Sequence, residues 1–296
     1  MNKKLSIILL NYNGYEDTIN CVKSIQKSKN LKNYDIIVVD NKSPDDSLKY
    51  LRKVKDIILI ESPSNDGFAC GNNIGIKYAL EHNSDYILLL NNDTEVDENA
   101  ISIMLDKISN DDSLGIVECR IMYYSEKNKI NYFGGHVDFT SCLAVHHHLN
   151  KEYKEGMEEK FFYTDFITGC SLMIKREVFE KVGLLPEEYF MYYEDTDFCV
   201  NVVDNGYKLG VCSDSVIYHK VSSSSGGQAS PFSTKWATRN RILFMKKFKK
   251  KTKGLLTKFI FYSSRIPVAL IYIFTGKFKL LKAMNEGIKE GRKIKI

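Results

Sequence analysis

The sequence predicts an α/β fold, a mixed and mainly parallel sheet with helices on both faces, followed by a basic helical tail. Three observations carry this expectation. Apolar runs of strand length recur at residues 5–10, 36–39, 57–60 and 87–90, with helix-compatible stretches between them. Each run is continuous and not alternating, as in strands buried on both faces. Each also empties into polar residues, and open sheets of this kind bind ligands beyond the carboxyl ends of their strands.

The first run, in MNKKLSIILLNYNG, has two lysines ahead of it like a leader peptide, but it is short and meets asparagines, so it reads as a strand. Its exit carries Asn11 and Asn13, the second exit Asp40 and Asn41, the third Asn65 and Gly67, and the fourth Asn91, Asn92 and Asp93. Asp93 at a strand exit suits a hard divalent cation, which favours carboxylate oxygen; the competing reading is a cap on a helix beginning near Asp97. Asp40 can accept a hydrogen bond from a nucleotide's base or ribose, or simply form a turn before Asn41. Past residue 110 the pattern loosens into a strand-like 116–124, a turn at Gly134 and Gly135, and a His146-His147-His148 tract expected in a solvated loop. A strand at 171–174, helices near 178–182 and 195–204, and two short strands at 209–212 and 216–219 follow. The Ser/Gly-rich stretch 222–231 is a candidate lid or linker.

At 296 residues, 44% hydrophobic and 27% charged, the chain can bury a substantial core. The net charge of +5 conceals an asymmetry: residues 239–296 hold 17 Lys and Arg against 2 Asp and Glu, so the body is acidic and the tail strongly basic. The expected division is therefore 1–238 for the catalytic domain and 239–296 for a basic amphipathic segment. Seven scattered cysteines with no C-x-x-C pair point to neither a zinc site nor a disulfide framework, and a reducing cytoplasmic setting is expected.

The stretch FMYYEDTDFC, residues 190–199, places Glu194 and Asp195 beside aromatic bulk. Acidic residues in a first helical turn complement the helix dipole, which is the plainer explanation. In a cleft shielded from water, however, one carboxylate could take a proton from an attacking hydroxyl while its neighbour, about 100° away on the helix, orients it. His219, alone after a short strand, reads as structural by itself. Dinucleotide and P-loop readings fall away, because no G-x-G-x-x-G follows the first strand and no G-K-[ST] occurs.

As a set, LSIILLNYNG, IIVVDNKSPDDS, SNDGFACGNNIGI, YILLLNNDTEV, TGCSLMIKREVFEKVG and YFMYYEDTDFCVNVVDNGYKLG resemble the family 2 inverting glycosyltransferases, closest to rhamnosyltransferase-like members, over roughly residues 5–241. The resemblance implies a GT-A fold and a nucleotide-sugar donor. Asp40 would pair with a pyrimidine base, with Asn11, Asn13, Asn41, Asn65, Gly67, Asn73, Asn92 and Arg239 around the donor. Asp93 would hold a divalent cation, Mg2+ or Mn2+, with His219 completing its shell. Asp195 would be the base, assisted by Glu194, and Gly169, Cys170 and Tyr193 would line the acceptor side. The first acidic position of the family's D-x-D-like motif is Asn91 here, which leaves one firm carboxylate ligand.

In the tail, residues 266–276 are too few for a membrane span of about 18–20 residues and contain Pro267, so an interfacial helix on an anionic membrane is expected. The implied acceptor is a glycan or polyprenyl-linked hydroxyl, with the enzyme cytoplasmic and peripheral on the inner membrane face. No nucleic-acid module accompanies the charge, and nucleic acid is not an expected partner. The competing readings are a sugar-nucleotide nucleotidylyltransferase and a non-catalytic nucleotide-sugar-binding homologue.

Overall fold

The structure, a computed structural model, describes residues 3–221 and 230–296; all but the end of the expected lid or linker at 222–231 lies outside the described residues. In chain order the elements are β1 (Leu5–Asn11), α1 (Tyr15–Ile25), β2 (Tyr34–Asp40), α2 (Ser47–Leu51), β3 (Ile58–Glu61), α3 (Phe68–Glu81), β4 (Tyr86–Asn91), β5 (Thr94–Val96), α4 (Ala100–Ser109), β6 (Leu114–Tyr123), β7 (Ile130–Tyr132), β8 (Gly135–Asp138), β9 (Leu143–His146), β10 (Phe161–Thr164), β11 (Ser171–Lys175), α5 (Arg176–Val182), α6 (Glu194–Asp204), β12 (Lys208–His219), α7 (Pro231–Lys247), α8 (Leu255–Phe274) and α9 (Phe278–Lys293).

They form two units. The first holds the described residues up to His136, then His146–Phe190 and Glu194–Val221; the second holds Val137–Val145, Met191–Tyr193 and the described residues from Ser230 to Ile296. The expected boundary at residue 239 thus falls inside α7, a continuous helix that begins at Pro231 with Ser230 as its cap.

In the first unit a mixed sheet runs β10-β12-β6-β11-β4-β1-β2-β3. Strands β4, β1, β2 and β3 are mutually parallel, while β11 lies antiparallel between β4 and β6. Leu5, Ile7, Ile8 and Leu9 of β1 and Ile87, Leu88 and Leu89 of β4 are all fully buried, so both faces of the sheet are covered, as the unbroken apolar runs require. The in-line register of β1 and β2 sets Asn11 directly beside Asp40, and this is how two separate apolar runs deliver one polar rim.

Several elements differ from expectation. Residues 209–212 and 216–219 are one strand, β12, whose register shifts between Cys212 and Val216. After Asp93 comes the short strand β5, and the next helix starts at Ala100, so Asp93 does not cap it. Pro267 does not end the tail helix: α8 runs 20 residues through it. Proline removes the bond to the Ser263 carbonyl, but it lies on the exposed face, where solvent can replace that bond.

Gly67 is the tightest point of the first unit. Its φ is +100°, and a Cβ there would sit 2.1 Å from the Phe190 carbonyl oxygen, which accepts from the Phe68 N–H at 2.8 Å. Gly67→Ala should therefore lower stability by about 2 kcal/mol or more in a thermal or urea melt. Gly183→Ala, at a φ of +95° with open space around it, incurs only the backbone strain and should cost visibly less. Equal losses in the two variants would show that the Phe190 contact is not a constraint.

Candidate active site

The polar rim is a connected network. Asn11 Nδ2 donates to Asp40 Oδ1 at 2.7 Å and to Ser43 Oγ at 3.1 Å, and the Ser43 N–H donates to Asp40 Oδ2 at 3.0 Å. The Asn13 N–H donates to Ser43 Oγ at 3.0 Å, Thr18 Oγ1 donates to Asn11 Oδ1 at 2.8 Å, and Asn92 Nδ2 donates to Thr18 Oγ1 at 2.8 Å. Asn13 takes the left-handed conformation that asparagine tolerates, with φ +55°. Asn41 Nδ2 donates to Asn65 Oδ1 at 3.0 Å and to the Gly67 carbonyl at 3.3 Å, while its buried Oδ1 has no partner among the described residues. A buried amide oxygen left open at a strand exit is a ready acceptor for a ligand's N–H or hydroxyl. Asn73 is placed differently: its Nδ2 donates to the Leu185 carbonyl and to Glu187 Oε1, both at 2.9 Å, and its Oδ1 accepts from the Leu185 N–H. It pins the segment at 185–187, and its donor group is fully engaged there.

Beyond β4, Asp93 Oδ1 lies 3.1 Å from His219 Nε2 at the end of β12, and the neighbouring Asn91 Nδ2 lies 3.4 Å from the same ring nitrogen. The other side of the imidazole, Nδ1, lies 3.2 Å from Asn131 Oδ1 on β7. As an N–H donor to that oxygen, Nδ1 leaves Nε2 with a lone pair aimed at the Asp93 side. A carboxylate and an oriented imidazole are donors that fit a divalent cation completed by substrate phosphates. No group of three His, Cys, Asp or Glu side chains suited to a metal occurs among the described residues.

The acidic pair opens α6. Asp195 Oδ2 accepts from the Gly169 N–H at 2.9 Å, and Oδ1 accepts from the Thr196 N–H at 2.6 Å. Burial pushes the Asp195 carboxyl up, while those backbone bonds and the nearby His146 pull the other way. Glu194 is buried, raised well above the ordinary carboxylate range by burial and by Asp195, and its Oε2 has no partner among the described residues. Gly169 is joined to the Asp93 end through its neighbour, since the Cys170 carbonyl accepts from the Asn91 N–H at 2.9 Å. Residues 169 and 170 thus connect the Asp93 and Asp195 ends of the site.

Four participants escaped the sequence reading. His146 is no solvated loop residue: it ends β9, with its ring edge-on to Tyr132 at 5.4 Å and 5.5 Å from Phe166, and burial lowers its pKa against the pull of Asp195. His147 lies 3.0 Å from His136, and His148 lies 2.7 Å from Glu158, so the whole tract is engaged. Asn131 and Thr18 gave no signal at all. Glu118 gave one, a lone charge inside the apolar strand LGIVECRIMY. It is fully buried, its Oε2 accepts from the Thr168 N–H at 3.3 Å, and its Oε1 has no partner among the described residues. Burial, with Asp195 adding to it, drives its pKa well above the usual range.

Of the remaining expected residues, Tyr193 and Arg239 belong to the second unit. Tyr192 and Tyr193 adopt positive φ, +71° and +78°, a conformation costing about 1–3 kcal/mol each in a non-glycine residue. Within that unit Asn240 Nδ2 donates to both the Met191 and Tyr192 carbonyls at 2.9 Å, and Tyr193 Oη donates to the Cys142 carbonyl at 2.8 Å. Arg239 donates to Asn240 Oδ1 at 2.5 Å and lies over the Trp236 ring at 5.2 Å.

Because burial raises the Glu118 pKa in the folded chain, its contribution is complete below the ordinary carboxylate range and is lost as pH rises through its elevated value. Glu118→Gln, neutral at every pH, should flatten the decline of stability as pH rises above the ordinary carboxylate range, by at most about 1.4 kcal/mol per pH unit. Urea melts across that range check it; an unchanged slope would refute the buried neutral acid.

The model of glycosyl transferase family 2 matches residues 6–183. A low-salt glycan biosynthesis hexosyltransferase of Haloferax volcanii is 31% identical over 213 residues, 70% of this chain and 64% of its own length. A dTDP-rhamnosyl transferase of Shigella flexneri is 23% identical over 221 residues, 75% of this chain and 70% of its own. Among solved structures, a GalNAc transferase, GalNAc-T7, with UDP, GalNAc and Mn2+ superposes with a TM-score of 0.65 at 16% identity, covering 82% of this chain and 48% of its own. A mannosyltransferase of Pyrobaculum calidifontis in complex with GDP-Man and Mn2+ gives 0.59 at 14% identity, covering 99% and 76%. The mixed sheet with its covering helices is the GT-A fold, and the chain belongs to glycosyl transferase family 2.

Proposed function

We propose that the protein is an inverting glycosyltransferase that moves a sugar from a nucleotide-diphosphate donor, dTDP-rhamnose or a UDP-sugar, to a hydroxyl of a glycan or lipid-linked acceptor in cell-surface polysaccharide synthesis. The observation that carries this reading is the Gly169–Cys170 segment, which joins a half-buried carboxylate of raised pKa, Asp195, to the end of the site that holds Asp93 and His219. The hexosyl and rhamnosyl transferases among its relatives support the class of donor.

In this reading Asp195 accepts the proton of the acceptor hydroxyl as its oxygen attacks the anomeric carbon, on the face opposite the departing nucleoside diphosphate. A raised pKa suits the task, because a base works best when its pKa lies near the working pH. The Gly169 and Thr196 N–H groups keep both carboxylate oxygens oriented, and burial and Asp195 together raise the pKa of the neighbouring Glu194, which disfavours a second negative charge there. Asp40, Asn41 and Asn65 receive the nucleoside. Asp93 and His219 would hold a divalent cation, Mg2+ or Mn2+, with Asn131 fixing the imidazole. Such a cation, when bound, offsets the charge that develops on the leaving diphosphate.

Helix α8 supports a peripheral membrane setting. By length and composition it could cross a bilayer, and only 11% of its apolar window is buried. Leu255, Phe259, Ile266 and Phe274 are 82%, 69%, 62% and 84% exposed. Arg265 in its middle favours a helix lying in the interface over one that spans, since a guanidinium at the bilayer centre is costly.

Asp195→Asn should cut transfer, or slow release of UDP or dTDP from the donor, by about 10²- to 10⁴-fold, with donor affinity retained. In the wild type the rate should rise with pH through a midpoint above the ordinary aspartate value, as Asp195 loses its proton. A non-catalytic homologue would bind donor in a thermal-shift screen and release no nucleotide. Asn131→Ala, which frees the His219 ring, should weaken the Mn2+ dependence of turnover by about 10- to 100-fold. An unchanged Mn2+ response would remove His219 from the cation's shell.

A further inference from the structure

The second unit contains an arrangement that the transfer reaction leaves unexplained. Arg241 on α7 is 5% exposed and Arg265 on α8 is half-buried. Their guanidinium carbons lie 5.2 and 5.5 Å from the centroid of one ring, that of the fully buried Phe261. Arg241 Nε and Nη2 both donate to the Ser141 carbonyl, at 2.8 and 2.6 Å, and no hydrogen bond engages the Nη1 edge of the fork among the described residues. Arg265 reaches only the hydroxyl of its neighbour Ser264, at 3.3 and 3.4 Å. Neither guanidinium forms an ion pair among the described residues. Among the described residues the carboxylate whose charge reaches Arg241 is that of Asp138, and it already accepts from the Thr140 and Ser141 N–H groups at 2.8 and 3.2 Å.

Burial lowers the pKa of both arginines, and the like charge of Arg241 lowers Arg265 further. Two cations packed on one ring, partly drawn out of water and within reach of each other's charge, oppose folding unless an anion offsets them. Planar forks bind phosphate oxygens in pairs, and aromatic packing on Phe261 holds both guanidinium groups in place without neutralising them. The rest of α8 says what kind of phosphate this is. The helix carries no acidic residue, and Ile266, Leu270, Ile273 and Phe274 beyond Arg265 are exposed.

We propose that Arg241 and Arg265 together bind the terminal phosphate of a membrane lipid whose hydrocarbon lies against the apolar residues of α8. This deepens the reading of a lipid-linked acceptor and rests on it only for the lipid as the source of the phosphate. The phosphate's oxygens would complete the two forks, and the apolar residues of α8 would be withdrawn from water in the same event.

The test is flotation of the full chain with phosphatidylcholine vesicles, either plain, doped with polyprenyl phosphate, or doped with phosphatidylglycerol to the same charge. Binding should be about tenfold tighter to the polyprenyl phosphate vesicles than to the phosphatidylglycerol ones, and weakest to the plain ones. Arg265→Gln should remove that tenfold preference, and Arg265→Lys, which keeps the charge and loses the fork, should restore part of it. Lys250→Gln, an equal loss of charge at an exposed site, should change binding by less than about twofold. Arg241→Gln tests the partner arginine where a thermal melt shows the variant folded. Three results would overturn the proposal: Arg265→Gln behaving like Lys250→Gln, equal affinity for the two anionic vesicles, or stabilisation by inorganic diphosphate with no vesicle binding. Flotation needs no turnover, so its failure would leave the Asp195→Asn result, and the transfer reaction, standing.

Discussion

The hydrogen bond from the Gly169 backbone to Asp195 Oδ2 is the constraint on which the first unit's site depends. It ties the start of α6 to the beginning of β11, and the adjacent Cys170 carbonyl ties that same point to the end of β4 through Asn91. Side chains on one rigid strand edge can be aimed by the pleat alone, but a carboxylate brought in from a helix a hundred residues later cannot. A single backbone amide performs that alignment here. On the other side His219 meets Asn131, whose backbone meets the His146 ring, and that ring lies near enough for its charge to act on Asp195. Asp93 and Asp195 are therefore joined by one chain of hydrogen bonds through residues 169 and 170, and the charge of His146 acts on Asp195 beside it.

Three carboxyl groups crowd this region with their pKa values raised: Glu118, Glu194 and Asp195. Burying ionised carboxylates side by side would cost several kcal/mol each, so burial pushes the pKa of the two most buried ones well above the ordinary range. Asp195 differs because it accepts two backbone N–H groups and retains some exposure, which makes it the member of the trio able to change its charge during a reaction. The arrangement resembles other acid–base sites in separating like groups by environment and not by type.

Most of the fold was legible in the sequence because a parallel sheet covered on both faces needs uninterrupted apolar runs, and residues 5–10 or 87–90 can be little else. The strand exits were legible for the same reason: polarity begins where burial stops. What could not be read were contacts set by register and chain reversal. Asn131, Thr18 and the role of His146 depend on which strand lies beside which, and β11 runs antiparallel between β4 and β6, a placement no periodicity announces. Glu118 was visible as an anomaly in an apolar strand, but its meaning came only with the neighbours that surround it. The tail misled because charge-free length was counted where helix length mattered, and Pro267 on an exposed face did not stop the helix.

The order of the strands has a further consequence for how the chain reaches this state. β6 is flanked by β11 and β12, and its pairing with β12 joins Leu114 to Lys208 and Tyr123 to His219. Until synthesis has passed those residues, β6 lacks its β12 partner and shows an open hydrophobic edge on that side, whereas β1, β2, β3 and β4 can assemble early from nearby segments. Contacts so distant along the chain close slowly and leave the half-built sheet vulnerable to sticking. The late-arriving half is also the one that carries His219, so the nascent chain acquires the polar rim of β1, β2 and β4 long before Asp93 gains its imidazole neighbour.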